Sequence, residues 1–248
     1  MKSLVLKLYS VWVLLVFTVF MVIFLPGLTI PFFFGNRFSR VGYAFLWIWS
    51  WIFSLLTQIR YEFHGREKIV RGKAYIYVSN HTSFLDLPGL RLMIPSEFKP
   101  LAKKELLKLP IFGWIAKGAC VIVDRSSPES RKRSIDRLKR TLGHGIPLLI
   151  FAEGTQNRTK EVLQPFKDGA FRIAIDTQAT ILPLVVVGAG KLMPPSTVNM
   201  RPGTIHIYVG EEIDVTEYTE TAKLKDRTFK AMTELIVRNS PATIIDRN

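Results

Sequence analysis

A histidine and an aspartate five residues apart offer the clearest chemistry in this chain. His81 and Asp86 lie in the segment N-H-T-S-F-L-D (residues 80–86), which directly follows a short apolar run. On one continuous helix the two positions would be about 140° apart, so their side chains would diverge. They can meet if His81 lies in a loop at the end of a strand and Asp86 in the first turn of the next helix. Asp86 would then hold one ring nitrogen while the other removes a proton from a hydroxyl group.

The same segment also permits a purely structural interpretation. Residues 83–86 resemble a capping box, so Asp86 could serve only its own helix. The spacing is weak evidence by itself, because His206 and Glu211 share it. His206 lies inside a predicted strand, where a core or surface role is favoured. The spacing therefore leaves both a catalytic and a structural role open.

Short apolar runs alternate with amphipathic stretches from residue 74 onward. Three stretches have helical spacing of their apolar residues, Glu129–Gly143, Asp168–Thr177 and Ala222–Val237. Such alternation predicts an α/β fold, a mixed sheet flanked by helices. The predicted strands are Ala74–Ser79, Cys120–Val123, Pro147–Phe151, Ile181–Val187 and Thr204–Val209.

Composition separates the first sixty residues from the rest. The chain has 248 residues, 48% of them hydrophobic, one cysteine and a formal charge of +14, which excludes collagen-like, disordered and disulfide-rich classes. No acidic residue precedes Glu62, and four of the five tryptophans do. We therefore predict an N-terminal two-helix membrane-anchoring segment at residues 1–60 and an α/β catalytic domain at residues 61–248.

Two apolar runs, Leu8–Leu25 and Val41–Thr57, form the predicted hairpin. Pro26-Gly27 is expected to end the first helix. A cleaved signal peptide is disfavoured because the first run is long and no small-residue cleavage site follows it. A two-span hairpin would put the basic connector outside, against the positive-inside rule. We favour a hairpin that dips into one leaflet of the cell membrane from the cytoplasmic face, a monotopic arrangement.

Four ordered blocks carry a family resemblance over Tyr75–Val187. Residues 80–86 resemble the H-x-x-x-x-D box of the glycerolipid acyltransferases, which include the 1-acyl-sn-glycerol-3-phosphate acyltransferases. Residues 119–125 (A-C-V-I-V-D-R), 151–158 (F-A-E-G-T-Q-N-R) and 182–184 (L-P-L) are similar to the second, third and fourth family blocks. The chain departs from the pattern at Ala119, Ala152 and Gln156, where glycine, proline and arginine are usual.

The resemblance implies transfer of a fatty acyl group from a thioester to the sn-2 hydroxyl of lysophosphatidic acid, giving phosphatidic acid. His81 would be the general base and Asp86 its orienting partner, with no covalent acyl-enzyme. Glycerol 3-phosphate or another lysophospholipid is the alternative acceptor. The residues implied in substrate binding are Lys103, Lys104, Arg125, Glu153, Gly154, Thr155, Arg158 and Lys167.

The expected partners are a membrane lipid, an acyl-CoA or acyl carrier protein thioester as co-substrate, and the surface of an anionic bilayer. No cofactor, metal ion or nucleic acid is expected, because no cluster has metal-ligand spacing and no dinucleotide or P-loop fingerprint occurs. Cys120 lies in an apolar strand and is predicted to be a core residue. A non-catalytic protein that binds anionic membranes through residues 129–143 is the alternative from another class.

Overall fold

The computed structural model describes residues 2–34, 36–124 and 126–240, and begins with two long helices. Helix α1 spans Lys2–Phe33 and helix α2 spans Asn36–Thr57. The helices are antiparallel: the Tyr9 hydroxyl donates to the carbonyl of Thr57, and Gly27 lies against the ring of Phe45. The predicted two-helix hairpin is confirmed in its helices and their pairing.

The expectation that Pro26-Gly27 ends the first helix is wrong. Helix α1 continues through Pro26 and Pro31 to Phe33. A proline inside a helix removes one backbone hydrogen bond and costs free energy. Packing against α2 offsets that cost here, because Leu28 is fully buried and the absence of a side chain at Gly27 lets Phe45 approach closely.

Within the described residues, the chain after the hairpin builds one sheet of seven strands. The strands are β1 (Ile59–His64), β2 (Ile76–Ser79), β3 (Lys99–Lys103), β4 (Val121–Val123), β5 (Leu148–Phe151), β6 (Ile181–Val187) and β7 (Gly203–Val209). Their order across the sheet is β1-β7-β6-β2-β5-β3-β4. All neighbouring strands are parallel except β6 and β7, so the sheet is mixed, as predicted.

Helices cover both faces of this sheet, and the sheet separates two apolar cores. The helices after the hairpin are α3 (Asp86–Met93), α4 (Phe112–Ala119), α5 (Pro128–Gly143), α6 (Gly169–Thr177), α7 (Ala189–Leu192) and α8 (Thr221–Asn239). Alternate residues of the central strands point to opposite faces. Tyr77 and Leu184 pack on the side of α1–α4, whereas Val78 and Val185 pack on the side of α5, α6 and α8.

The hairpin and the sheet share the first of these cores. Val13, Val16 and Phe53 belong to the same buried cluster as Tyr77 and Ile205. Strand β1 begins at Ile59, close to the predicted boundary at residue 60. The division into residues 1–60 and 61–248 stays a prediction, and the shared core means that the two parts are packed as neighbours.

Candidate active site

The parallel strands β6, β2, β5, β3 and β4 bring their carboxyl ends to one edge of the sheet. His81 follows β2 by two residues, Glu153 follows β5 by two residues, and Lys104 directly follows β3. In open α/β sheets, ligands bind outside this edge. The edge therefore gathers residues that are far apart in the sequence.

His81 and Asp86 form a hydrogen-bonded pair at this edge. The His81 Nδ1 atom lies 2.8 Å from Asp86 Oδ2. Residues 80–83 are irregular and α3 starts at Asp86, the loop-to-helix arrangement that the sequence required for the two side chains to meet. Asp86 is fully buried, whereas the His81 side chain is 15% exposed. One edge of the imidazole therefore remains open to a substrate.

Asp86 is held by the loop and does not cap its own helix. Its Oδ2 atom accepts hydrogen bonds from the backbone N–H groups of Thr82 and Ser83, at 2.8 and 2.9 Å. Leu85 is the N-cap residue of α3, and no side-chain capping bond is present there. The Asp86 carboxylate thus accepts its hydrogen bonds from His81 and the residues that follow it, which agrees with an orienting role.

The backbone and ring of His81 are fixed by the segment after β5. Its N–H donates to Glu153 Oε1 at 2.9 Å, and its carbonyl accepts from the N–H of Asn157 at 2.6 Å. The imidazole stacks on Phe151, with 4.0 Å between ring centroids. The first and third motif blocks therefore form one unit in space.

Glu153 is buried and links two loops through its carboxylate. Its second oxygen, Oε2, accepts from the N–H of Gln164 at 2.8 Å, so both oxygens are occupied by backbone donors. Burial raises the pKa of Glu153, and the N–H groups of Gln164 and His81 act in the opposite direction. The carboxylate joins the His81 loop to the loop that follows β5.

Gly154 and Thr155 continue this turn toward solvent. Gly154 has a φ of 76°, a left-handed conformation that a residue with a Cβ adopts only with strain. Its N–H donates to the carbonyl of Phe151 at 2.9 Å, which closes the turn. Thr155 is exposed, as are Arg158 and Lys167 farther along the segment. This segment therefore lies at the same edge of the sheet as His81, and the side chains of Thr155, Arg158 and Lys167 are exposed to solvent.

Sequence reasoning missed the residues that hold the segment in place. Both side-chain amide atoms of Asn80 bond to the backbone of Val186 on β6, at 2.8 and 2.9 Å. The Asn157 amide and the Gln164 amide bond to each other. An asparagine next to a candidate catalytic histidine was the available signal for Asn80. Asn157 and Gln164 gave no comparable signal, because their contacts depend on a folded loop.

A basic group lies two strands away from His81, beyond β3 and β4. The Lys104 ammonium group donates to Asp124 Oδ2 at 2.9 Å. That hydrogen bond, together with the donors of Ser126, holds the pKa of Asp124 below its ordinary value. Lys104 and Asp124 line a pocket together with Arg133 and Arg137 of α5. The exposed Lys103 lies at the end of β3, and Arg125 lies outside the described residues.

A sequence model of the family described as Acyltransferase matches residues 60–187. This region runs from β1 to the end of β6 and contains the His81–Asp86 pair and the Glu153 loop. The chain belongs to the acyltransferase family.

Similar proteins extend this assignment. The acyltransferase chain is 29% identical over 182 residues to the chloroplastic 1-acyl-sn-glycerol-3-phosphate acyltransferase BAT2 of Brassica napus, covering 72% of this chain and 52% of the relative. It is 34% identical over 135 residues to the human 1-acyl-sn-glycerol-3-phosphate acyltransferase alpha, covering 53% and 47%. The matched region thus spans about half the length of these relatives.

A solved structure shares the whole architecture of the acyltransferase chain. The crystal structure of PlsC from Thermotoga maritima, titled a 1-acyl-sn-glycerophosphate (LPA) acyltransferase, superposes with a TM-score of 0.83. The match covers 96% of this chain and 97% of that one at 19% sequence identity. The agreement includes the N-terminal hairpin, and it confirms the predicted fold class.

The Cys120 side chain is partly buried beside the core and is poorly suited to act as a nucleophile. It packs against the cluster that contains Ile115 and Ala119. Burial raises the pKa of its thiol to about 12, with a smaller opposing effect of Lys99. A thiol with such a pKa is almost entirely protonated at neutral pH. The Ser83 hydroxyl is also engaged in a structural hydrogen bond, which it donates to the carbonyl of Met193 at 2.9 Å.

Proposed function

We propose that the chain transfers a fatty acyl group from an acyl thioester to the free sn-2 hydroxyl of lysophosphatidic acid, giving phosphatidic acid. The observation that carries this proposal is the His81–Asp86 pair at the carboxyl edge of the sheet, within the region matched by the family. The printed names of the sequence relatives supply the acceptor. The acyl donor is a CoA or acyl carrier protein thioester.

The chemistry begins with the nitrogen of His81 that faces away from Asp86. Because Nδ1–H donates to Asp86, the lone pair on Nε2 is available to take the proton of the acceptor hydroxyl. The hydroxyl oxygen then forms a bond to the thioester carbonyl carbon. Asp86 stabilises the imidazolium that results, and the departing thiolate takes up the proton from Nε2.

This mechanism requires no covalent acyl-enzyme. A thioester is already activated, so a hydroxyl made more nucleophilic by a base can attack it directly. Of the groups described above, Ser83 donates its hydroxyl to the carbonyl of Met193, and the raised pKa of Cys120 keeps its thiol protonated. In the proposed step the proton moves from the acceptor hydroxyl to His81 and then to the departing thiolate.

Basic side chains beyond β3 and β5 would hold the phosphate of the acceptor. Lys104 keeps two N–H donors besides the one that meets Asp124, and Arg133 and Arg137 line the adjoining pocket. Arg125, Arg158, Lys103 and Lys167 are the further predicted contributors. Gln156 departs from the family pattern, in which arginine is usual, so the phosphate contacts of the proposed site come from these other basic side chains.

We also propose that the hairpin anchors the protein in one leaflet on the cytoplasmic side of the cell membrane. Residues Leu4–Phe33 are long and apolar enough to cross a bilayer. However, Val13, Val16, Met21 and Leu28 of α1 are buried against the core over four turns. A helix attached to the catalytic part along one face cannot be surrounded by lipid, which favours a position in the plane of the interface.

The outward face of the hairpin is suited to such a position. Apolar side chains on the opposite side of α1 and along α2 are exposed. A basic chain of +14 also favours an anionic bilayer surface. The exposed apolar residues include Leu4, Leu8, Val11, Leu15, Val22, Ile23, Val41, Trp51 and Leu55.

The experiment that tests the activity measures phosphatidic acid formation by detergent-purified protein. Acyl-CoA and acyl carrier protein thioesters are offered separately with lysophosphatidic acid, to wild type, to His81→Ala and to His144→Ala. His144 is exposed at the end of α5, which makes it a matched control. We expect product from wild type and from the His144 variant, and none from the folded His81 variant.

The other outcomes distinguish the remaining alternatives. Product only with glycerol 3-phosphate or another lysophospholipid would replace the proposed acceptor and keep the mechanism. Equal turnover by His81→Ala would refute the mechanism. Salt-sensitive binding to anionic vesicles without turnover of any acceptor would favour the non-catalytic membrane protein.

A further inference from the structure

Three metal-ligand side chains meet on the far edge of the sheet, on strands that do not contribute His81. Glu62 and His64 lie two residues apart on the edge strand β1, so their side chains share one face. His206 lies on β7, directly opposite Glu62 in the parallel register. This face is turned away from the α1–α4 layer, against which the alternate residues Tyr61 and Phe63 pack.

The donor atoms lie at distances that fit a common ion. His64 Nε2 is 3.3 Å from His206 Nδ1, and His206 Nδ1 is 3.2 Å from Glu62 Oε2. One ligand atom from each residue lies within 4.8 Å of the others. In tetrahedral coordination with metal–ligand bonds of about 2.0–2.1 Å, neighbouring donor atoms are about 3.3 Å apart. Two of the three separations already have that value.

One proton on His206 Nδ1 serves only one of its two neighbours. His206 Nδ1 faces both an imidazole nitrogen and a carboxylate oxygen. If it carries a proton, it donates to the Glu62 carboxylate and makes no bond to His64. If it does not, it can accept from His64 Nε2–H, and the carboxylate then has no donor from it. A cation that accepts electron pairs from all three atoms binds them together.

The rings are also held in place before any ion binds. His64 stacks on Tyr208 with 4.4 Å between centroids, and His206 is stacked at 6.3 Å from the same ring. The backbone pairing of β1 with β7 fixes the positions of the three side chains along the strands. Less conformational entropy is therefore lost on binding than at three independent surface residues.

We propose that Glu62, His64 and His206 bind a divalent transition-metal ion of the Zn²⁺ type. Two imidazoles and one carboxylate suit zinc and its neighbours in the first transition row, and they do not suit Mg²⁺ or Ca²⁺, which prefer oxygen ligands. Water completes the coordination, since all three side chains reach solvent. The ion links β1, which follows the hairpin, to β7 by a second set of bonds beside the strand pairing.

The sequence spacing of these three residues does not match any metal-binding motif. Its two halves are 142 residues apart, and only the pairing of β1 with β7 unites them. The sequence predicted no metal ion anywhere in the chain, so this proposal departs from that prediction, although it adds no metal to the chemistry at His81. Binding at this second site is independent of the proposed acyl transfer.

The test titrates untagged, chelator-treated full-length protein with Zn²⁺ and follows binding by calorimetry. Co²⁺ serves as a second probe, because tetrahedral coordination gives it intense visible absorption. We expect one equivalent of Zn²⁺ to bind and Mg²⁺ not to compete. His206→Gln and Glu62→Gln should each weaken binding at least about tenfold, since even an outer-shell partner contributes that much. His144→Gln is the matched control and should bind as wild type does.

Thermal unfolding of each metal-free variant checks that the fold is intact, and Zn²⁺ should raise the Tm of wild type but not of His206→Gln. Absence of binding by folded wild type at a Zn²⁺ excess would overturn the proposal. Unchanged affinity in both His206→Gln and Glu62→Gln would also overturn it, because the ion would then bind elsewhere. A loss of binding in His144→Gln equal to that in His206→Gln would have the same meaning.

Discussion

Replacing Asp86 with asparagine separates the charge of this residue from its hydrogen bonds. Oδ2 accepts from His81 Nδ1 and from the N–H groups of Thr82 and Ser83 at 2.8, 2.8 and 2.9 Å. An amide oxygen can occupy that position and keep all three bonds. The amide NH₂ group would then face the Thr82 hydroxyl, which can accept from it. We therefore expect Asp86→Asn to fold with little loss of stability.

The missing charge should nevertheless slow the reaction strongly. A carboxylate about 4 Å from the charge centre of an imidazolium stabilises it by about 4 kcal/mol at an effective dielectric constant of about 20. The neutral amide retains about 1 kcal/mol through its hydrogen bond. The remainder corresponds to a loss of about 10² to 10³ in kcat/KM.

The assay measures kcat/KM for phosphatidic acid formation, with thermal unfolding of the same preparations as the check on folding. Asp86→Ala is the companion variant. It leaves His81 Nδ1–H and the N–H groups of Thr82 and Ser83 without their acceptor, at about 1–3 kcal/mol for each buried group, and should lose both stability and activity. If Asp86→Asn keeps its fold and reacts within threefold of wild type, the carboxylate charge has no catalytic role and the orienting mechanism is refuted.

Three further results are expected. Glu153→Gln should lower kcat/KM at least about tenfold and destabilise the fold by about 1–3 kcal/mol, because one backbone donor would face an amide NH₂ group; unchanged kinetics would show that the loop is held without this carboxylate. Gly113→Ala should lower the free energy of unfolding by about 1–3 kcal/mol in denaturant titration, because its Cβ would lie 2.4 Å from the Leu107 carbonyl oxygen. The Cβ of the control variant Gly143→Ala meets no atom within 4 Å, so that variant should be as stable as wild type or more stable. Equal unfolding midpoints for the two variants would contradict this packing. Because its pKa is raised to about 12, Cys120 should react with a thiol reagent at pH 8 at roughly 10⁻⁴ of its full thiolate rate, and about tenfold faster for each added pH unit. Rapid labelling of the native protein at pH 8 would contradict the raised pKa.

Local sequence pattern accounts for the elements that were predicted correctly. The strands β2 and β4–β7 and the helices α5, α6 and α8 have the apolar periodicity of their class. Strand β3 was missed because its sequence, K-P-L-A-K, contains two lysines and a proline. Strand β1 was missed because its alternation of buried and exposed residues is filled with charged and aromatic side chains. Both strands exist because neighbouring strands supply their hydrogen bonds.

Helix α1 is a case in which a local sequence signal predicted an end that the structure does not have. Its Pro26-Gly27 pair is a strong local signal for a helix end, and the signal failed because α2 packs against this turn. The free-energy cost of a proline in a helix depends on the local sequence, whereas the apolar burial that offsets it comes from residues such as Phe45 on another helix. A rule that considers only neighbouring residues therefore leaves out this burial.

The sequence alone determined the family and the fold class, and it predicted His81 and Asp86 as the catalytic residues, because ordered motif blocks and apolar periodicity are local patterns. Only the tertiary structure decided that Asp86 bonds to His81 and its loop instead of capping α3. It also decided that both oxygens of Glu153 hold backbone groups, and that Glu62 and His64 meet His206. The physical reason is that a side chain's partners are set by strand order and loop conformation, which bring together residues whose separation in the sequence has no periodicity.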